Sequence, residues 1–265
     1  MIGTAAFAVL AGAIQGFANP GQSPAEFSAD SDATLKVASY AFSIWGPIYL
    51  GLLVYAVRQA LPQTGESDTI NRFGVPSALA FVGIGTWLFA AAFDWELATI
   101  VLIFGSLAVL LIPLLANAGS IRALPGKDRD RWMTVWPLSL LAGWLSIAAP
   151  VNLLTVATGN GDLPPILAPT VWAMLAIVVV VLVALFVTRQ LRIIAFALPV
   201  AWGLLGVFVA EQERGNQMLS MFALAASVAT VVSALILAFR LRPEGGRRVT
   251  RDQTQGEADT TSSNG

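Results

Sequence analysis

Trp45, Trp87, Trp144, Trp172 and Trp202 each stand inside a long uncharged run, and so does one side-chain amide, Asn152. Indoles and amides are binding groups rather than proton-transfer groups. Flat rings can wall a flat apolar ligand, and a buried indole N–H needs an acceptor. The stretch AFSIWGPIYLGLLVYAV, residues 41–57, sets Trp45, Pro47 and Tyr49 within five positions and carries no charge. The chemistry open to this cluster is stacking, with hydrogen bonds that orient a ligand's polar edges. The alternative is that the rings serve only to pack their own helices.

The chain has no His and no Cys. That removes imidazole bases, thiolate nucleophiles, disulfides and histidine or thiolate ligation of haem or metal. No Asp, Glu, Lys or Arg falls inside the apolar runs apart from Arg58 and Arg240 at their ends, whereas ion-coupled pumps and proton relays usually hold one inside the bilayer. An enzyme is therefore the weakest reading, confined to indole or phenol radical chemistry, and no catalytic residue is assigned. Asp94 and Glu96 in FDWEL, and Glu211 and Glu213 beside Arg214, read as solvated turns rather than metal sites. A net charge of −1 without a basic stripe implies no nucleic-acid partner.

The elements that must position these rings are membrane helices. The chain is 56% hydrophobic and 12% charged with mean hydropathy +0.73, where soluble domains carry about a quarter charged residues. Eight segments, about 2 to 18, 37 to 59, 75 to 93, 97 to 118, 132 to 157, 165 to 188, 193 to 210 and 216 to 240, are near or above the length of a membrane-spanning helix. Helices are required because backbone groups in lipid must pair within their own segment. The expected fold is an all-α integral membrane protein with eight transmembrane helices. The first segment lacks a basic leader and is read as a span, not a signal peptide.

Orientation follows from the basic residues. Arg58 and Arg72, then Arg122, Lys127, Arg129 and Arg131, then Arg189 and Arg192, then Arg240, Arg242, Arg247, Arg248 and Arg251 fall on one side, with Lys36 and Arg214 on the other. The positive-inside rule places both termini in the cytoplasm. The excess of Arg over Lys suggests a GC-rich bacterial genome, and the expected location is the bacterial cell membrane. Residues 241–265 are expected to be a disordered cytoplasmic tail whose arginines meet anionic headgroups. With this topology the five interior tryptophans lie about 9 to 20 Å from the outer ends of their spans, while Trp95, Trp132 and Trp136 fit an interfacial belt.

Asn152 follows Pro150 by two positions, and that proline frees the carbonyl of Ser146. The amide can cap this kink, bond a neighbouring helix or face a ligand. Gly83, Gly85 and the run from Ala90 to Ala92 form a small-residue face for close helix approach, within the chain or in a homodimer. Leu53, Tyr55 and Arg58 fit a loose sterol pattern that matches often by chance.

FSIWGPIYLG resembles the second helix of the TspO/MBR family (tryptophan-rich sensory protein, or translocator protein), with its Trp and Tyr four apart at Trp45 and Tyr49. GWLSIAAPVN is similar to the fifth helix, with Trp144 and Asn152 eight apart, and GTWLFAAAF carries Trp87 as the third helix does. Position 84 is Ile where that family often carries Asn. The resemblance covers roughly residues 1 to 160 and is to a longer branch with three extra C-terminal helices, so the expected division is 1–160, 161–240 and the tail. It implies a five-helix bundle with a pocket near its outer end, acting as a receptor, sensor or transporter. No cofactor is required, and the implied partners are the lipid bilayer and an apolar small molecule, above all a porphyrin such as protoporphyrin IX. The ligand-binding set it implies is Trp45, Tyr49, Trp87, Trp144 and Asn152.

Overall fold

The structure is a computed structural model that describes residues 3, 6–8, 10, 23–29, 34–61 and 67–239. Among the described residues there is no strand, and seven helical stretches are long and apolar enough to cross a membrane. The chain is a multi-pass, all-α membrane protein. Its long helices are α1 (Trp45–Ala60), α2 (Asp68–Ala92), α3 (Glu96–Ala116), α4 (Trp136–Gly159), α5 (Pro169–Leu191), α6 (Ala197–Glu213) and α7 (Gln217–Phe239). They correspond to the second through eighth expected spans. Of the expected first span, only residues 3, 6–8 and 10 are described, and these are helical. The rest of it, like the expected tail 241–265, lies outside the described residues.

Local chemistry explains the ends. Ser67 accepts the Ile70 N–H at 3.2 Å and caps α2, with Asp68 in the first turn facing the positive end of the helix dipole. Pro169 opens α5 where a missing N–H costs nothing. α1 is entered through a 3-10 turn, Ser39–Ile44, and α4 through a π-turn, Arg131–Val135. Pro76, Pro113 and Pro150 sit inside α2, α3 and α4.

α4 is the axis of the bundle. It packs against α1, α3, α5 and α6, and most of its residues are buried, as expected of a helix apolar all round. Its small residues allow the approach: a Cβ on Gly143 would lie 2.1 Å from the carbonyl oxygen of Phe196, in the turn that enters α6. Gly83 meets Ser106 of α3, and Gly85 meets the ring of Phe7, so both of these glycines serve packing within the chain.

At the arginine-rich end the cations hold helix ends together. Arg58 pairs with Asp130 at 2.8 Å, and Arg131 donates to the carbonyls of Ile121 and Arg192 at 3.4 and 3.2 Å. Arg122 donates to Gln190 O at 2.7 Å. Carbonyls left over at helix C-termini are thereby satisfied.

Tyr55 and Arg58, which fit the loose sterol pattern, both have protein partners. The Tyr55 ring is fully buried against Phe81, and its hydroxyl lies 2.8 Å from Ser77 Oγ. Tyr55→Phe is expected to lower stability by about 1 kcal/mol, the worth of one interhelical hydrogen bond, because Ser77 keeps its bond to Gly74 O. Thermal unfolding in detergent measures it.

Candidate functional site

Four of the five expected site residues meet toward the end of the bundle opposite the arginine-rich turns. Trp45 opens α1 and stacks on Tyr49 one turn later, with ring centroids 5.4 Å apart and planes 25° apart. Its other side meets Trp144 of α4 edge-on at 6.3 Å and 79°. Trp144 is 3% exposed, Trp87 of α2 8% and Asn152 of α4 4%, so none of the three splays into lipid.

These rings enclose two adjoining hollows. The larger, about 430 Å3 counted with its open mouth, is lined by Trp87, Trp144, Asn152, Ile103 and Ile147 among others. The second, about 340 Å3 on the same measure, is lined by Trp45, Ile84, Trp87, Ser106 and Trp144. Phe42, Trp87, Ile103, Trp144 and Ala148 are walls of both. The room left for the centres of waters is only about 30 Å3 in each, enough for one or two molecules. Tyr49 lines neither hollow; it backs the ring of Trp45.

The polar atoms facing this space are few. Asn152 Nδ2 donates to Thr99 Oγ1 on α3 at 3.0 Å, and Thr99 in turn donates to Glu96 O. The amide therefore bonds a neighbouring helix rather than capping the Pro150 kink. Its Oδ1 has no partner, nor do the indole nitrogens of Trp45 and Trp87 or the hydroxyl of Ser106, and all four atoms are buried. Asn152→Leu is expected to cost at most about 1 to 2 kcal/mol of stability, because Thr99 keeps its bond to Glu96 O. Any larger loss of ligand affinity than of stability then measures the role of the free Oδ1.

Several wall residues escaped the sequence reading. Phe27 comes from a short helix, Pro24–Ala29, inside what reads as an outer loop; its ring meets Trp87 edge-on at 6.4 Å. The signal was present as S-P-A-E. Ser23 N donates to Glu26 Oε2 at 2.7 Å, and Glu26 N donates to Ser23 Oγ at 3.2 Å, a reciprocal capping box with proline in the first helical position. Phe42 and Gly203 carried no signal, since their place depends on which helices become neighbours.

The Ser23 backbone N–H, and secondly its hydroxyl, hold the Glu26 carboxyl below the usual carboxylate range. A depressed folded value means that the contribution is complete above the unfolded pKa of about 4.3 and is lost as pH falls through the folded value. The protection of the amides in residues 24–29, corrected for the pH dependence of intrinsic exchange, is expected to fall on acidification through that window, and Glu26→Gln to leave it constant there.

The other tryptophans are accounted for. Trp172 donates to Pro164 O at 3.1 Å and Trp202 to Ala41 O at 2.9 Å. Trp132 stacks on Trp136 at 4.7 Å with half its surface exposed, and Trp95 is exposed, as an interfacial belt requires. The acidic turns divide. Glu96 is bonded at the surface to Asn160 Nδ2, and no group of three or more metal-ligating side chains occurs among the described residues.

Glu211 departs from expectation. It is fully buried, accepting from Lys36 N at 3.3 Å, Arg214 at 2.9 Å and Asn216 at 3.1 Å. It is not a solvated turn residue because the segment before α1 folds across the end of α6 and covers it.

A family model described as TSPO-like protein matches residues 1–236. The chain belongs to the TSPO-like protein family. The match takes in α5 and α6 and nearly all of α7, so this family's pattern runs through the helices beyond residue 160 as well as the aromatic site. No curated protein matches the chain. No solved structure matches it either.

Proposed function

We propose that this TSPO-like protein is a membrane receptor or sensor that holds a flat apolar ligand, most closely a porphyrin, between Trp45, Trp87 and Trp144. The observation that carries the reading is the set of unpartnered polar atoms. Trp45 Nε1, Trp87 Nε1, Ser106 Oγ and Asn152 Oδ1 come from four helices, belong to residues that line two hollows with common walls and have no protein partner. Buried polar atoms are nearly always bonded, and each one left without a partner costs about 1 to 3 kcal/mol. A ligand with an acceptor toward the indoles and a donor toward Asn152 removes that cost, while its ring face replaces ring-on-ring contact.

The hollows are as apolar as such a ligand needs, with no Asp, Glu, Lys or Arg among the lining residues. The free room is small, enough for one or two waters in each hollow, so a porphyrin enters only when side chains of the walls move aside. In this reading the arginine-rich turns and both termini face the cytoplasm of a bacterial cell, and the site occupies the outer half of the membrane. The test is titration of the detergent-solubilised protein with protoporphyrin IX at micromolar concentration, followed by tryptophan fluorescence. Saturable quenching supports the reading, and fluorescence unmoved beyond inner-filter loss overturns it.

Transport of an apolar or amphipathic molecule is the second reading. It draws on Pro76, Pro113 and Pro150, which sit inside the three helices α2, α3 and α4 that also wall the hollows. Saturable, time-dependent uptake into proteoliposomes distinguishes a transporter from a receptor.

A further inference from the structure

The larger hollow is not closed by the aromatic helices alone. Gly203 of α6 is one of its walls, and Val37 and Phe42 close it from the segment before α1. That segment is strapped to α6 in antiparallel order. Trp202 donates its indole N–H to Ala41 O at 2.9 Å, Ala38 N donates to Gly206 O at 3.0 Å, and Lys36 N donates to Glu211 Oε1 at 3.3 Å. The contact needs glycine at 206, where a Cβ would stand 2.7 Å from both Ala41 Cβ and Val37 Cγ1.

Gly203 meets a different kind of neighbour. A Cβ there would lie 2.8 Å from Ile147 Cδ1 and 3.0 Å from its Cγ2. Ile147 is itself a wall of the hollow and is otherwise packed, 3% exposed. The open direction for its side chain is into the hollow, so a methyl group at 203 becomes lost ligand space rather than a displaced helix.

We propose that Gly203 determines the size of ligand the larger hollow admits, and that α6, through Trp202, Gly206 and Glu211, is the positioning element that holds Val37 and Phe42 in its wall. The choice of a porphyrin as probe rests on the function proposed above; the strap does not.

The first arm measures protoporphyrin IX binding to wild type, Gly203→Ala, Ile147→Val and the double variant. Gly203→Ala is expected to weaken binding at least about tenfold. Ile147→Val alone changes it little, and the double variant recovers most of the loss, because valine lacks the Cδ1 that the new methyl would strike. Alanine is the better helix former, so a loss reversed by Ile147→Val is not backbone destabilisation. Unchanged binding in Gly203→Ala, or no recovery in the double variant, overturns the size role.

The second arm needs no ligand. The chain has no cysteine, so Phe42→Cys supplies a single thiol in the strap. Its reaction rate with N-ethylmaleimide is expected to rise about fivefold when Trp202→Phe is added, as loss of one part-buried hydrogen bond allows. An unchanged rate overturns the positioning role. A wild type that binds no porphyrin counts against the proposed function, and the labelling result then decides the role of α6 by itself.

Discussion

Gly143→Ala is expected to destabilise the protein by about 3 kcal/mol or more, the upper end for overpacking a core. The added methyl would lie 2.1 Å from the carbonyl oxygen of Phe196 and 2.9 Å from its carbonyl carbon. Those are backbone atoms in the turn Ile194–Phe196, so no side-chain rotation relieves the clash. α4 and α6 must separate. The gain in helix propensity from replacing glycine, about 1 kcal/mol, does not offset this. The measurement is thermal unfolding of the detergent-solubilised protein, where the midpoint is expected to fall by about 6 °C or more. A midpoint equal to wild type would mean that α4 and the α6 turn do not touch at Gly143. The contrast with Gly203→Ala is informative, since there the neighbour is a movable isoleucine and the expected effect is on ligand space.

The second large effect is on binding. Trp45→Phe combined with Trp144→Phe is expected to weaken porphyrin binding by more than the roughly tenfold of a single ring and by at most about a hundredfold, as judged from aromatic anchors at other interfaces. Phenylalanine keeps an apolar ring in the bundle, so the fold is retained, but each change removes stacking area, and the first also removes a buried N–H that has no partner in the protein. The two rings touch edge-on at 6.3 Å, so the single variants are not expected to sum to the double. Trp172→Phe is the control. Its N–H is bonded to Pro164 O and it lines neither hollow, so affinity should be unchanged. Loss of affinity in the control equal to that in the double variant would place the ligand elsewhere.

Much of this was legible in the residues because lipid leaves the backbone few choices. A run such as Val171 to Val187, with no charge to break it, has to be a helix that spans. The aromatic site was partly legible for a related reason. Trp45, Trp87 and Trp144 stand where interfacial anchoring does not explain them, and the structure places them around adjoining hollows. Tyr49 shows the limit of spacing as a guide, because one turn of helix put it behind Trp45 instead of in the cavity wall.

Residue order alone was enough for the solvent, the helical class, the spans from α1 to α7 and the lack of imidazole and thiol groups. Each of these follows from composition and from local backbone needs that hold whatever the neighbours are. That Asn152 bonds Thr99, that Glu211 is buried under the strap and that Gly203 walls the hollow came from the folded chain and not from residue order. Those facts depend on which helix faces come together across long stretches of chain, 53 residues between Thr99 and Asn152 and 175 between Lys36 and Glu211. Helix periodicity says which residues share a face, but the partner of that face is chosen by close packing against glycines such as Gly143 and Gly206.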